Sequence, residues 1–406
     1  MKTLTSLFLL LTTIITSSAQ IYQWRGANRD GIYPDKNLAS EWDSIPPLVM
    51  TIEGCGMGYG SPTITPDGIF VAGMIDTLGY VFAYSPSGEK LWQVEYGPEY
   101  TNRFLGSRGT PTIEDGKLYY SGTFGDVICV NIKNGKLLWH KNIFDLYGGE
   151  PIKWGYTESP LIYKDLMILT PGGKDYNVIA VSKKTGKLVW TCPVDNAVNA
   201  YCSPVLIRHN NKDLILMNTS NNLLMLNPDD GSVYLKHALT DRRGNHPMAP
   251  LYKDDQIFYS SGYGEGSVMF TIDDANRKLD TLWQNPDFDC KLSGMTVVDG
   301  TIFGTADRKK QWMGVAWNNG ETRFESRDIK PGSFVMADDK FFIFTETGEV
   351  ALAIPDKNGF TITSRFMIPA QNIIYAFAHP VIDNQKLYIR YNNNIWVHDI
   401  SDTTPQ

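Results

Sequence analysis

The phrase TGKLVW at residues 185 to 190 recurs as NGKLLW at 134 to 139 and, more loosely, as SGEKLW at 87 to 92. A second phrase travels with it: a small or polar residue, a proline, then a short β-rich run. It reads SPTI from Ser61, TPTI from Thr110, SPLI from Ser159, SPVL from Ser203 and APLY from Ala249. Degenerate copies follow in GMTVVDG from Gly294, SFVMADD from Ser333 and HPVIDNQ from His379. The positions equivalent to the proline are 62, 111, 160, 204, 250, 295, 334 and 380, so one unit is written eight times. A unit of this length cannot bury its own apolar faces alone, and repetition at a fixed period means that neighbours bury them.

Each unit reads as four strands. In the second, TPTIED is followed by KLYYSG, then DVICVNI, the turn KNG, and KLLWHKN. The runs are short, β-branched or aromatic, and punctuated by Gly, Asn and Asp. Helical periodicity is absent. Four-stranded units repeated around an axis describe an all-β, eight-bladed β-propeller of antiparallel blades, and such a ring must close to hide its strand edges. The eighth unit supplies only three strands. The missing outer strand is expected from PPLVMTIEG, beginning at Pro46, so that an N-terminal strand closes blade eight. Residues 20 to 406 then form a single domain. The Gly of the repeated phrase is a turn at cheap positive φ. Trp92, Trp139, Trp190 and Trp283 are read as packing residues on outer strands.

Residues 1 to 19 read as a signal peptide: Lys2, an apolar stretch from Leu7 to Ile15, and small residues Ser17 and Ala19 before the cut. No cysteine follows the cut, so no lipid anchor is expected. No later apolar run is long enough to span a bilayer. A periplasmic or secreted monomer is expected. A net charge of -7 argues against nucleic acid as a partner. Five cysteines (Cys55, Cys129, Cys192, Cys202 and Cys290) leave at least one unpaired, and a Cys192–Cys202 bridge stands as one alternative. The six histidines show no HxH or HExxH spacing, and no metal site is expected. The glycine-dense GCGMGYG at 54 to 60 leads into a strand rather than a helix, so it reads as a tight loop near the axis. GGK at 172 to 174 reads as a hairpin tip. The pairs Asp229–Asp230, Asp254–Asp255 and Asp338–Asp339 read as solvated turns. Ser61, Ser159 and Ser203 precede repeat prolines, and their repetition marks them as structural.

AVSKKTGKLVW (180 to 190) and CVNIKNGKLLW (129 to 139) resemble the tryptophan-docking repeat of the pyrroloquinoline quinone (PQQ) propeller superfamily. WRGANRDGIYP (24 to 34), GSRGTPTI (106 to 113), WGYTESPLI (154 to 162) and TPGGKD (170 to 175) resemble exported bacterial members. The resemblance covers nearly all of the chain after the leader, is strongest from 24 to 235, and fades through blades six and seven. It implies the fold. It also implies two kinds of relative: quinoprotein alcohol dehydrogenases and the propeller lipoprotein of outer-membrane barrel assembly. The former, by that resemblance, hold the quinone over calcium with an Asp base, an Arg, a stacking Trp and often a vicinal disulfide. Here the vicinal cysteine pair is missing and no catalytic Asp matches. Glu158 and Asn199 are what the corresponding loops offer as oxygen ligands. No cofactor and no catalytic residue are therefore expected, with PQQ and calcium as the alternative.

Function is expected in the loops that join one blade's outer strand to the next blade's inner strand, because these reach the funnel around the axis. They span 96 to 109, 144 to 158, 194 to 202 and 239 to 248. The candidate ligand-binding residues are Arg108, Trp154, Tyr156, Glu158, Asn199, Tyr201 and His246. The competing reading is that they brace one another, with Arg108 and Glu158 as a salt bridge between successive blades. The expected function is a non-enzymatic binding or scaffold module for an envelope protein, a small molecule or a glycan.

Overall fold

The computed structural model describes residues 20–195, 197–239 and 244–402. The proposed signal peptide, 1 to 19, lies outside them. Eight sheets follow one another around a ring, each built on antiparallel strands that neighbour one another in chain order, with N-terminal strands added to the last two. The first runs from the inner strand Thr63–Thr65 to the outer strand Lys90–Pro98. The ring closes as the sequence predicts. Leu48–Glu53 pairs antiparallel with Asn394–Asp399 and completes the eighth blade. Two additions escaped sequence reasoning. Ile32–Tyr33 adds a fifth, parallel strand to blade seven, against Gly332–Ala337. One short helix, Ile143–Tyr147, interrupts the loop between blades two and three, capped by Asn142 and Gly148. At five residues it is too short to show a period.

The hairpins between inner and second strands explain the acidic pairs. Asp254–Asp255 and Asp338–Asp339 both take positive φ (51° and 59°; 49° and 58°), the geometry of tight hairpin turns that Asn, Asp and Gly tolerate best.

The cores lie between blades, and the repeated phrase explains why. Trp190 stands on the outer strand of blade three and packs with Val178 and Ala180 of its own blade and Ile215 and Leu224 of the next. Its Nε1–H donates to the carbonyl of Pro228 in blade four, at 3.0 Å. Its ring lies on Gly231, where a Cβ would come within 2.4 Å of it. Trp139 repeats the pattern on Lys183 and Gly186, as does Trp283 on Trp317 and Gly320. The glycine therefore serves twice: its φ turns the hairpin, and its missing side chain makes room for the neighbour's indole. At the ring closure Met50, on the closing strand, occupies the tryptophan's place against Gly88. Replacing Trp190, which is 8% exposed, with Ala should cost about 3–5 kcal/mol. Denaturant unfolding will measure it, and a loss under about 1 kcal/mol would reject the docking role.

The small residue before each proline also has a job. The amide of Ser61 donates to Thr110 Oγ1, that of Thr110 to Ser159 Oγ, and that of Ser159 to Ser203 Oγ, at 3.0, 3.0 and 2.9 Å. These bonds stitch four successive inner rims, so the serines are structural. The alternative bridge between Cys192 and Cys202 does not form: all five cysteines are free and buried.

The leader WRGANRDGIYP does more than precede the ring. Tyr22 exchanges backbone hydrogen bonds with Ile113 of blade two. The Arg29 guanidinium donates to the carbonyls of Ser159, Pro160 and Pro204, at 3.1, 2.6 and 2.8 Å. Arg25 reaches the carbonyl of Met295 at 3.0 Å and His379 Nδ1 at 3.3 Å. One short segment thus touches the inner edges of blades two, three, four, six, seven and eight. Only a segment on the axis can do that, and residues 20 to 33 plug the central channel.

Candidate functional site

Above the plug opens a cavity of about 700 Å³. Trp24 of the plug forms part of its floor with His379. The wall is aromatic. Phe104 stands edge-on to Trp154 and Tyr375, with centroids 5.3 and 5.0 Å apart, and Tyr59 packs on Phe377 at 5.6 Å. Tyr201 and Tyr263 line other parts of the wall. Set among these rings are Arg108, Lys153 and Lys291, and no carboxylate of the described residues lines the cavity.

Of the residues singled out in the sequence, Arg108, Trp154 and Tyr201 line the cavity together. The backbone amide of Trp154 donates to Tyr201 Oη at 3.1 Å, which ties the loops of blades two–three and three–four together. Burial raises the Tyr201 phenol to about 12, so it stays protonated at neutral pH. Arg108 donates to the carbonyls of Gly106 and Phe104, at 2.5 and 2.9 Å, and its guanidinium lies 4.3 Å from the Tyr100 ring centre. Burial lowers its pKa, and Glu99 counters that.

Tyr156, Glu158, Asn199 and His246 sit deeper and do not line the cavity. Glu158 accepts from Tyr156 Oη at 3.0 Å and from Thr170 Oγ1. Burial raises it to about 8, against the opposing effects of those two bonds and of Arg29. The salt bridge weighed between Arg108 and Glu158 is not formed. Arg108 spends its donors on its own loop, and the cation that Glu158 feels is Arg29 of the plug. His246 is fully buried, with Nε2 at 2.9 Å from the carbonyl of Ser220 and Nδ1 bonded to Tyr259. The Asn199 side-chain amide is buried with neither end hydrogen-bonded.

Sequence reasoning missed Trp24, Tyr59, Phe104, Lys153, Tyr263, Lys291, Phe377 and His379. For Phe377 and His379 a signal existed: they flank the eighth repeat proline as Arg108 and Glu158 flank the second and third. GCGMGYG packs against the next blade's loop, with Gly60 so close to Gly109 that a Cβ would lie 2.0 Å from its carbonyl oxygen, and it delivers Tyr59 to the rim.

The described residues offer no cluster of carboxylates that would hold calcium beneath a quinone. Calcium needs several converging oxygen ligands, usually carboxylates. Among the described residues no three acidic, His or Cys side chains are grouped to hold a metal. Glu158 is already bonded, and the charged side chains of the described residues that face the cavity are cationic. No helix of the described residues is long and apolar enough to cross a membrane.

A family model described as outer membrane protein assembly factor BamB matches residues 78–326. The quinoprotein alcohol dehydrogenase PedH of Pseudomonas putida is 25% identical over 146 residues, 36% of this chain. That match spans 22% of PedH. BamB from Moraxella catarrhalis superimposes with a TM-score of 0.62 at 14% identity, covering 87% of this chain and 100% of that one. Quinohemoprotein alcohol dehydrogenase from Comamonas testosteroni superimposes at 0.67 and 11% identity, covering 96% and 81%. At these identities the two structures share a fold with this chain.

Proposed function

Because the chain belongs to the PQQ-repeat propeller family described as outer membrane protein assembly factor BamB, we propose that it is an exported, non-enzymatic binding propeller that recognises a protein or small ligand through its funnel. The observation that carries this reading is the cavity: large, aromatic and cationic, with most of its rings and charges supplied by loops between the blades. Repeat residues such as Ser61, Thr110, Ser159 and Ser203 form the inner rim of the funnel, and its aromatic and cationic side chains come mostly from segments that do not repeat. Pockets of this volume with a few placed polar groups are where ligands bind. Export rests on the leader at 1 to 19. Arg108, Trp154 and Tyr201 are the contact residues in this reading, with Tyr156, Glu158, Asn199 and His246 supporting them from beneath.

The quinoprotein dehydrogenase reading, which the PedH match favours, is separated by experiment. The purified protein is titrated with PQQ in the presence and absence of calcium, followed by absorbance, and then assayed for dye reduction with primary alcohols. The expected result is neither saturable, calcium-dependent binding nor turnover. Stoichiometric binding with activity lost on chelation and restored by calcium would overturn the non-enzymatic reading. In parallel, a thermal-shift panel of oligosaccharides and peptides should find ligands whose effect disappears in Trp154→Ala.

A further inference from the structure

The charge and ring pattern of the funnel narrow the ligand class. Three cationic side chains of the described residues line it in a chain whose net charge is -7. Lys153 stands beside the indole of Trp154, with Nζ 4.9 Å from the ring centre, and Lys291 beside Tyr263 at 4.6 Å. Lys291 is the one of the three with an ion-pair partner, Asp307 at 3.5 Å, and Asp307 also holds Lys310 at 2.7 Å. Lys153 has no carboxylate within ion-pair distance among the described residues. On the floor, burial and the adjacent Arg25 hold His379 neutral, well below the usual histidine range. Among the described residues the cavity therefore offers positive charge uncompensated by any lining carboxylate.

Each lining cation adjoins an aromatic ring, and polar tips stand close by in Tyr59, Tyr201 and Asn245. A ligand that satisfies all three must carry negative charge, present a flat apolar face, and carry hydroxyls around its edge. An aliphatic acid lacks the edge hydroxyls. A peptide lacks the flat faces unless aromatic. We propose that the funnel binds an acidic saccharide, its ring faces against Trp154 and Phe104 and its carboxylates toward Lys153, Arg108 and Lys291. The volume accommodates roughly two or three pyranose rings. This inference rests on the reading of the funnel as the binding site and names its ligand class.

The probes are trigalacturonate, the uncharged maltotriose, and triglutamate, which carries like charge without rings. Binding is followed by calorimetry and by tryptophan fluorescence, since Trp24 and Trp154 both line the cavity. The expected result is saturable binding of trigalacturonate at least about tenfold tighter than either control, weakening as salt rises. Lys153→Met should weaken it about five- to tenfold, and Trp154→Ala at least about tenfold, both with near-normal melting. Equal binding of maltotriose would remove the role of charge. Equal binding of triglutamate would remove the role of the rings. Either result, or no saturation by trigalacturonate at millimolar concentration, overturns the acidic-saccharide assignment. If trigalacturonate fails while another ligand binds and is lost in Trp154→Ala, the funnel remains a binding site and only the ligand class falls. If no ligand responds to Trp154→Ala, both fall.

Discussion

Deletion of residues 20 to 53 is expected to leave no soluble monomer. The truncation strips Leu48–Glu53 from blade eight and bares the long edge of Asn394–Asp399, a ready template for pairing with another chain. It also removes the docking of Met50 on Gly88, which joins the last blade to the first. The plug goes with it, so the carbonyls of Ser159, Pro160, Pro204 and Met295 lose buried donors. Each buried group left unpaired costs about 1–3 kcal/mol. A domain is only about 5–15 kcal/mol stable in total, so the sum is comparable with the whole. The shorter deletion of 20 to 31 separates the two effects. It keeps the closing strand and empties the channel, and should give soluble but markedly less stable protein. Size-exclusion chromatography and melting curves read both. A soluble monomer lacking 20 to 53 with an unchanged melting temperature would sink the closure argument.

The ring was legible in the sequence because its determinants repeat. Gly231 and Trp190 must meet across a blade boundary, and so must Gly186 and Trp139 and Gly320 and Trp283, so the same letters return at the same interval. The closing strand was legible by subtraction, since a three-stranded eighth unit needs a fourth. The plug was not. Arg25 and Arg29 act once each, through backbone carbonyls scattered from residue 159 to 295, and carbonyls leave no trace in side-chain identity. The funnel was half legible for a related reason. Closeness to a repeat proline places a residue near the axis but does not say whether it faces up into the cavity or down into the blade. Arg108 and Trp154 face up, whereas Glu158, next to the third repeat's serine, turns down to Thr170 and Tyr156. The buried carboxyl of Glu158 looked like a ligand-binding group because the cation it feels, Arg29, lies 129 residues away in the chain.

That buried pair sets the second large effect. Arg29 is 4% exposed and Glu158 1%. Arg29→Met would orphan the carbonyls of Ser159, Pro160 and Pro204 and remove the cation that Glu158 feels among the described residues, at a cost on the order of 3–5 kcal/mol where the carboxyl is ionised. Glu158→Gln should behave differently, because the amide retains oxygen to accept from one donor and carries no charge to desolvate. Its signature is a pH profile. Glu158 has a folded pKa of about 8, against an ordinary value of 4.5, so the native state holds this proton more tightly than the unfolded chain does. The resulting stabilisation is fully present below about pH 4.5 and is lost as pH rises through about 8, since the unfolded chain then binds fewer protons than the folded one. Wild-type stability should therefore decline between pH 5 and 8.5 by on the order of a few kcal/mol more than that of Glu158→Gln. Urea unfolding at half-unit pH steps will show whether the two curves converge at the acid end and separate at the alkaline end. In Arg29→Met the loss at alkaline pH should deepen, because the carboxylate is then buried with no countercharge. A double-mutant cycle should return a large coupling at pH 8.5 and a small one at pH 5. Parallel curves for wild type and Glu158→Gln, or an unchanged melting temperature in Arg29→Met, would show that the plug and blade three are not joined through this charge.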